Sequence, residues 1–266
     1  MPNDSRTSEV GKDQMDNFRA KNQRNINAYL AVVADKGLCS DKDKLQSQLN
    51  FLYGDVDFRH KTVLDIGGGS GIHSYYAACC GAKEVICLEP EAAGCSKEMR
   101  NQFEELGMIL KYDNIIIKAI RFQDFKCESN KYDIIILHDS INHLDEHACI
   151  NLLQAKGAKL VYREIFARIN SLAAEGAHLV ICDCSMYNFF AALRLRNPFD
   201  PGIEWHKHHA PEIWANMLGE EGFVNPVIKW SSPNVFGSWG RKLLGNRHMA
   251  YFFTSHFCLT MEKRSS

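Results

Sequence analysis

The sequence predicts an α/β fold: a doubly wound, mainly parallel seven-stranded sheet, an antiparallel pair at one edge, and helices ahead of it. Three observations predict it. Five short runs, "TVLDI" (62–66), "EVICLE" (84–89), "NIIIKAI" (114–120), "YDIIILH" (132–138) and "AHLVICD" (177–183), are β-branched and almost unbroken in apolarity. Runs of that kind suit strands buried on both faces, as in a parallel sheet. Stretches with helical spacing separate them, and alternation of β and α builds a doubly wound sheet. Two late runs, "FVNPVIKW" (223–230) and "MAYFFTSHFCLTMEK" (249–263), follow without an evident crossover helix between them, which predicts the antiparallel edge pair.

Residues 1–13 are polar and read as a disordered tail. From Gln14 to Ala34, Met15, Phe18, Ile26, Tyr29, Leu30 and Val33 recur at helical intervals, and Gly37 can end the helix. A second helix over Asp41–Tyr53 turns Leu45, Leu49, Phe51 and Leu52 inward, so 14–59 reads as a helical cap. The core, 60–184, carries helices over Ile72–Cys80, Ala92–Leu106 and about His147–Ala174, with Gly176 expected as the cap between the last helix and its strand. Residues 185–266 complete the same domain: an aromatic loop (185–209), a helix (210–222) and a basic loop (231–248) between the two late strands.

Composition excludes little but bounds the partners. At 45% hydrophobic and 24% charged, with a formal net charge of −1, the chain presents no global field for nucleic acid or an anionic membrane. No run of 18 or more apolar residues is present, and "MPNDSRTSEVGKDQ" has no signal core, so no membrane insertion and a cytoplasmic location are expected. Ten cysteines fall mostly inside apolar stretches, where a free thiol acts as a small hydrophobe. Cys182 and Cys184, with His206, His208 and His209 downstream, raise the question of zinc; "CDC" reads more simply as a strand end, and no metal is expected.

The chemistry-bearing stretch is "VLDIGGGSGIHSYYAA" (63–78). A dinucleotide fingerprint G-x-G-x-x-G would need glycine at 72, where Ile72 stands, and no Lys-Ser or Lys-Thr completes a phosphate loop. What remains is D-x-G-x-G-x-G: Asp65, Gly67, Gly69 and Gly71, with an acidic Glu89 at the end of the next strand. A bare turn lets a ligand approach the backbone. A carboxylate after the second strand can accept bonds from ribose hydroxyls.

This pattern resembles the first two motifs of class I S-adenosylmethionine-dependent methyltransferases, and the order of the core over about 60–185 agrees. The resemblance implies S-adenosyl-L-methionine as methyl donor and S-adenosyl-L-homocysteine as product. Asp65 would then meet the donor's ammonium, Gly67, Gly69 and Gly71 its backbone-facing side, and Glu89 its ribose. It further implies that Phe122, Gln123 and Asp124 bracket the adenine, and that Leu137 and His138 flank the sulfonium. Asp139, Asn142 and His143 would face the methyl group or the acceptor, and Arg24 and Tyr29 of the first helix would close over the donor.

Methyl transfer from a sulfonium is an in-line displacement that asks the protein to align the nucleophile, and an oxygen nucleophile also needs a base. Candidate catalytic residues are His143 first, His206 second and Asp139, with His138, His208 and His209 as further bases. The Asn/Asp-Pro-Pro-Tyr/Phe signature of base-methylating enzymes, the Pro-Cys nucleophile and the paired-glutamate hairpin of arginine methylation are all missing. A small-molecule or glycan acceptor is therefore expected, methylated at oxygen, under an aromatic lid of Tyr187, Phe189, Phe190, Phe199 and Trp205. Arg241, Lys242, Arg247 and His248 would suit an anionic acceptor. A catalytically silent donor-binding subunit, a protein methyltransferase and a nicotinamide oxidoreductase remain as alternatives.

Overall fold

The computed structural model describes residues 22–90, 96–126, 131–231 and 245–265. Seven strands form one sheet: β1 (Thr62–Ile66), β2 (Glu84–Leu88), β3 (Ile115–Lys118), β4 (Tyr132–His138), β5 (Ala173–Cys184), β6 (Phe223–Trp230) and β7 (His256–Lys263). Their order is β3-β2-β1-β4-β5-β7-β6; the first five are parallel, and β7 runs antiparallel to both β5 and β6. The chain steps outward from β1 to β3 and returns at β4 on the other side of β1. That reversal leaves a crevice at the carboxyl ends of β1 and β4, where ligands bind in sheets of this kind.

Both faces of the sheet are covered, which is why its central strands are apolar throughout. On one face Leu64, Ile66, Ile135 and Leu137 meet Tyr162, Phe166 and Trp214 from α6 (Lys156–Leu172) and α8 (Pro211–Glu220). On the other, Val63, Ile134 and Ile136 meet the helix over 22–35 (α1), α2 (Lys42–Tyr53), α3 (Ile72–Cys79) and α4 (Ser96–Leu110), through Tyr29, Leu49, Tyr76 and Phe103. Asp41 caps α2 by accepting from the N–H groups of Asp43 and Lys44. Tyr29 is fully buried and donates its hydroxyl to the Ile72 carbonyl at 2.8 Å, so α1 is fastened to the start of α3.

Several expected boundaries move. The run 249–263 is not one strand. Asn246 accepts from the N–H of Met249 and caps a short helix, α9 (Arg247–Tyr251), and β7 begins only at His256. The apolar character of "MAYFF" concealed that cap. The long helix over 147–174 is two: α5 (Glu146–Ile150), capped by Asp145 and closed by an Asn151 side-chain bond to the His147 carbonyl, then α6.

Gly176 is not a helix cap but lies inside β5 with φ +69°, where the register against β4 jumps from Tyr132–Ala173 to Ile134–His178. The extra residues form a bulge, and glycine takes the left-handed conformation there without strain. Within the 185–209 loop lies α7 (Phe189–Ala192), capped by Asn188. Residues 1–21, 91–95, 127–130, 232–244 and 266, which include Met15, Phe18, Arg241 and Lys242, lie outside the described residues.

Candidate functional site

The glycine turn follows β1 directly, and each glycine in it answers a different demand. A Cβ on Gly67 would lie 2.6 Å from Ser140 Cβ, one on Gly68 2.5 Å from Cys87 Sγ, and one on Gly71 2.4 Å from the Phe103 ring. Those three are glycines because the protein packs against them. Gly69 differs: with φ +54°, among the described residues its Cβ would meet nothing nearer than Met99 Sδ at 3.8 Å, an ordinary contact, so it is uncrowded. The expectation that the whole turn is bared for a ligand therefore narrows to Gly69. Its N–H donates to Glu89 Oε2 at 2.9 Å, tying the turn to the end of β2. Burial, opposed by that bond, raises the Glu89 carboxyl above its ordinary value.

Asp65 is fully buried beneath the turn. Ser74 Oγ donates to its Oδ2 at 2.7 Å, while Oδ1 has no partner among the described residues. Burial pushes its carboxyl up to about 6, with the Ser74 bond pulling down and the Glu89 charge adding to the rise. A buried carboxylate oxygen without a donor fits a ligand that brings one.

At the end of β4, Leu137 is buried in the core, so its side chain cannot flank a ligand and only its backbone remains for that role. The His138 ring stacks on His73 at 4.0 Å between centroids. Burial lowers the pKa of both imidazoles, that of His73 strongly, which keeps them neutral. His73 Nδ1 lies 2.9 Å from the Tyr53 hydroxyl, and His138 Nε2 is buried without a partner among the described residues. Of the predicted adenine group, Phe122 is buried, Gln123 donates to the Leu144 carbonyl, and Asp124 pairs with Arg121 at 2.8 Å. Arg24 is exposed.

Beyond β4 the backbone turns sharply at Asp139, whose φ is +49°. Ser140 Oγ then donates to the Ile66 carbonyl at 2.6 Å, fixing this segment against the glycine turn. On its other side the same segment borders a cavity of about 320 Å³. Asp139, Asn142 and His143 line it together with Asp183 and Cys184 from the end of β5, Asp200, Gly202, Ile203, Glu204, Lys207 and His208 from the following loop, and His256. The 139–142 segment is thus the wall between the turn and the cavity.

Within the cavity, His208 Nδ1 lies 2.9 Å from Asp183 Oδ1, which also accepts the Cys184 N–H at 2.7 Å. Asp183 is 1% exposed and, among the described residues, neither its Oδ2 nor the buried Asn142 Oδ1 has a partner. The Cys149 thiol donates to the Lys207 carbonyl and His209 Nε2 bonds the Cys149 carbonyl, so the 205–209 segment is held against α5. Asp183, Cys184 and His208 each offer a ligand atom within 4.8 Å of the others, but the imidazole and carboxylate already bond to each other.

His143 stands on the rim, half exposed and paired with Glu146 at 2.7 Å. His206 is exposed and is not among the lining residues. Sequence reasoning underweighted His208 and passed over Asp183. The available signal was a lone carboxylate closing the apolar run of β5, at the strand end where sheets of this topology hold ligands. Among the described residues no helix is long and apolar enough to cross a membrane.

Comparison with known proteins follows the same lines. The model of a family described as a methyltransferase domain matches residues 40–261. The chain is 27% identical over 182 residues to a ubiquinone biosynthesis O-methyltransferase from Neisseria meningitidis, covering 66% of this chain and 68% of that one. Its fold resembles an S-adenosylmethionine-dependent methyltransferase structure from Listeria monocytogenes (TM-score 0.57, 15% identity, 84% and 99% of the two chains). It also resembles one from Mesorhizobium loti (TM-score 0.55, 13% identity, 82% and 98%).

Proposed function

The chain belongs to the methyltransferase-domain family and is a class I S-adenosylmethionine-dependent methyltransferase, and from that premise we propose that it methylates a small molecule held in the cavity between the ends of β4 and β5. One observation carries this reading. Residues 139–142 touch the glycine turn through Ser140 and line the cavity through Asp139 and Asn142, so a donor on one side and an acceptor on the other share a single wall.

On the donor side, Gly69 is the uncrowded glycine of the turn and Asp65 Oδ1, unpaired among the described residues, offers an acceptor for an ammonium. Glu89, fixed through Oε2, would keep its other oxygen for the ribose hydroxyls. The neutral pair His73 and His138 puts no positive charge beside a cationic donor. Bound there, the sulfonium supplies an activated methyl group and leaves as a neutral thioether.

On the acceptor side, Asp183 accepts from His208 Nδ1, which fixes the tautomer and leaves Nε2 as the basic nitrogen. His208 is thus the favoured base over His206, while His143 and Asp139 border the acceptor from the rim. Calorimetry with S-adenosylmethionine, then incubation of tritiated donor with a fractionated cell extract, tests the reading. Label in a low-mass fraction supports it. Label in protein, or donor binding with no label anywhere, refutes a small acceptor and favours a protein substrate or a silent subunit.

A further inference from the structure

Resting on the acceptor site just proposed, we infer that the molecule it methylates is a small amine that arrives as a cation, so that nitrogen rather than oxygen is the nucleophile.

The charges around the cavity are one-sided. Among the described residues Asp139, Asp183, Asp200 and Glu204 line it against a single ammonium, that of Lys207. Lys207 is moreover engaged, 2.8 Å from Glu204 and 3.3 Å from Glu146. A phosphate or carboxylate on the acceptor would meet four like charges and no uncommitted cation among the described lining residues. A positive acceptor is drawn in by the same field. This departs from the anionic acceptor suggested by the basic residues of the 231–248 loop.

The unsatisfied hydrogen-bonding groups have one sense as well. Asp183 Oδ2 and Asn142 Oδ1 are buried oxygens without donors among the described residues, in side chains of residues 1% and 3% exposed. An unpaired buried acceptor is costly, so the ligand that belongs there brings N–H or O–H groups to it. An ammonium brings up to three, a hydroxyl one.

The reaction itself favours nitrogen in this setting. The ammonium first gives a proton to His208 Nε2, and Asp183 stabilises the imidazolium so formed. The freed lone pair then forms the N–C bond as the methyl carbon's bond to sulfur breaks, and that electron pair stays on sulfur. Positive charge moves from sulfur to nitrogen, toward Asp139 and Asp183, and carboxylates placed there stabilise the transition state. An oxygen nucleophile would instead first have to shed its proton and stand as an alkoxide among the same carboxylates, which disfavour that anion.

The experiment uses the full-length protein, tritiated S-adenosylmethionine and a low-mass cell extract, either untreated or first acetylated with N-hydroxysuccinimidyl acetate, which caps primary and secondary amines. Label held by a cation exchanger and lost after acetylation is the expected result; label that survives as a cation retained even at high pH, a quaternary ammonium, also supports the inference. Survival of the label in a neutral or anionic product overturns it while leaving the small-acceptor reading intact. Absence of low-mass label with donor binding intact sinks both. With the labelled amine in hand, Asp139→Asn, a change its left-handed backbone accommodates, is expected to raise KM about tenfold or more. An unchanged KM counts against the charge argument.

Discussion

Neutralising Asp65 tests the donor site through stability and affinity at once. The carboxyl is fully buried, accepts one 2.7 Å bond from Ser74 and leaves Oδ1 unpaired. Its folded-state pKa of about 6 stands above the ordinary 3.8 because burial penalises the charge. A carboxyl raised in the folded state stabilises the fold only while protonated. Its contribution is complete below the unfolded value and is lost as pH rises through about 6. The gap corresponds to about 3 kcal/mol borne by the folded protein at neutral pH.

Asp65→Asn keeps the shape and can keep the Ser74 bond while removing that cost. The variant is expected to be more stable than the parent by about 1–3 kcal/mol at about pH 7.5, the advantage vanishing near pH 4. Urea denaturation across that range reads the difference. The same variant is expected to lose about tenfold or more in calorimetric affinity for S-adenosylmethionine, whose ammonium would no longer meet a carboxylate. In the parent near pH 6, donor binding should release a fraction of a proton, visible as a dependence of heat on buffer ionisation enthalpy; the variant should release none. A variant no more stable at neutral pH, or one that binds the donor as tightly as the parent, would refute the reasoning.

Other outcomes follow from the same geometry. Glu89→Ala should weaken donor affinity by about 1–3 kcal/mol, because the Gly69 N–H and the ribose both lose their acceptor; unchanged calorimetric affinity removes the ribose assignment. Gly71→Ala should destabilise the fold markedly, with its methyl driven to 2.4 Å from Phe103, whereas Gly69→Ala should cost only about 1–2 kcal/mol of left-handed strain yet impair donor binding. Comparable melting temperatures for the two variants would contradict that division. His208→Ala should cut kcat about 10²–10⁴-fold with donor affinity preserved, while His206→Ala, on an exposed side chain outside the cavity, should leave kcat within about twofold. Equal turnover in both variants would return the base to another residue.

Much of the fold was legible because burial on two faces writes itself into consecutive positions. "YDIIILH" became β4 over the same residues, and "TVLDI" became β1. Where local signals competed, the reading slipped. Asn246, an N-cap, was hidden by the apolar run behind it, and Gly176 was assigned to a helix end when a bulge in β5 required it. The donor motif was legible as a motif, but its glycines do not share one purpose. Only their contacts with Ser140, Cys87 and Phe103 separate packing from ligand space.

By itself the sequence determined the sheet, the glycine turn and the acidic residue after β2, because each is a short-range pattern held within a few residues. Tertiary structure alone decided the proposed acceptor side. Asp183 and His208 are far apart in sequence, in a strand end and a loop, and meet at 2.9 Å only because α5 anchors that loop over the sheet. Charge in a cavity is a sum over segments brought together by folding, and no local pattern encodes that sum.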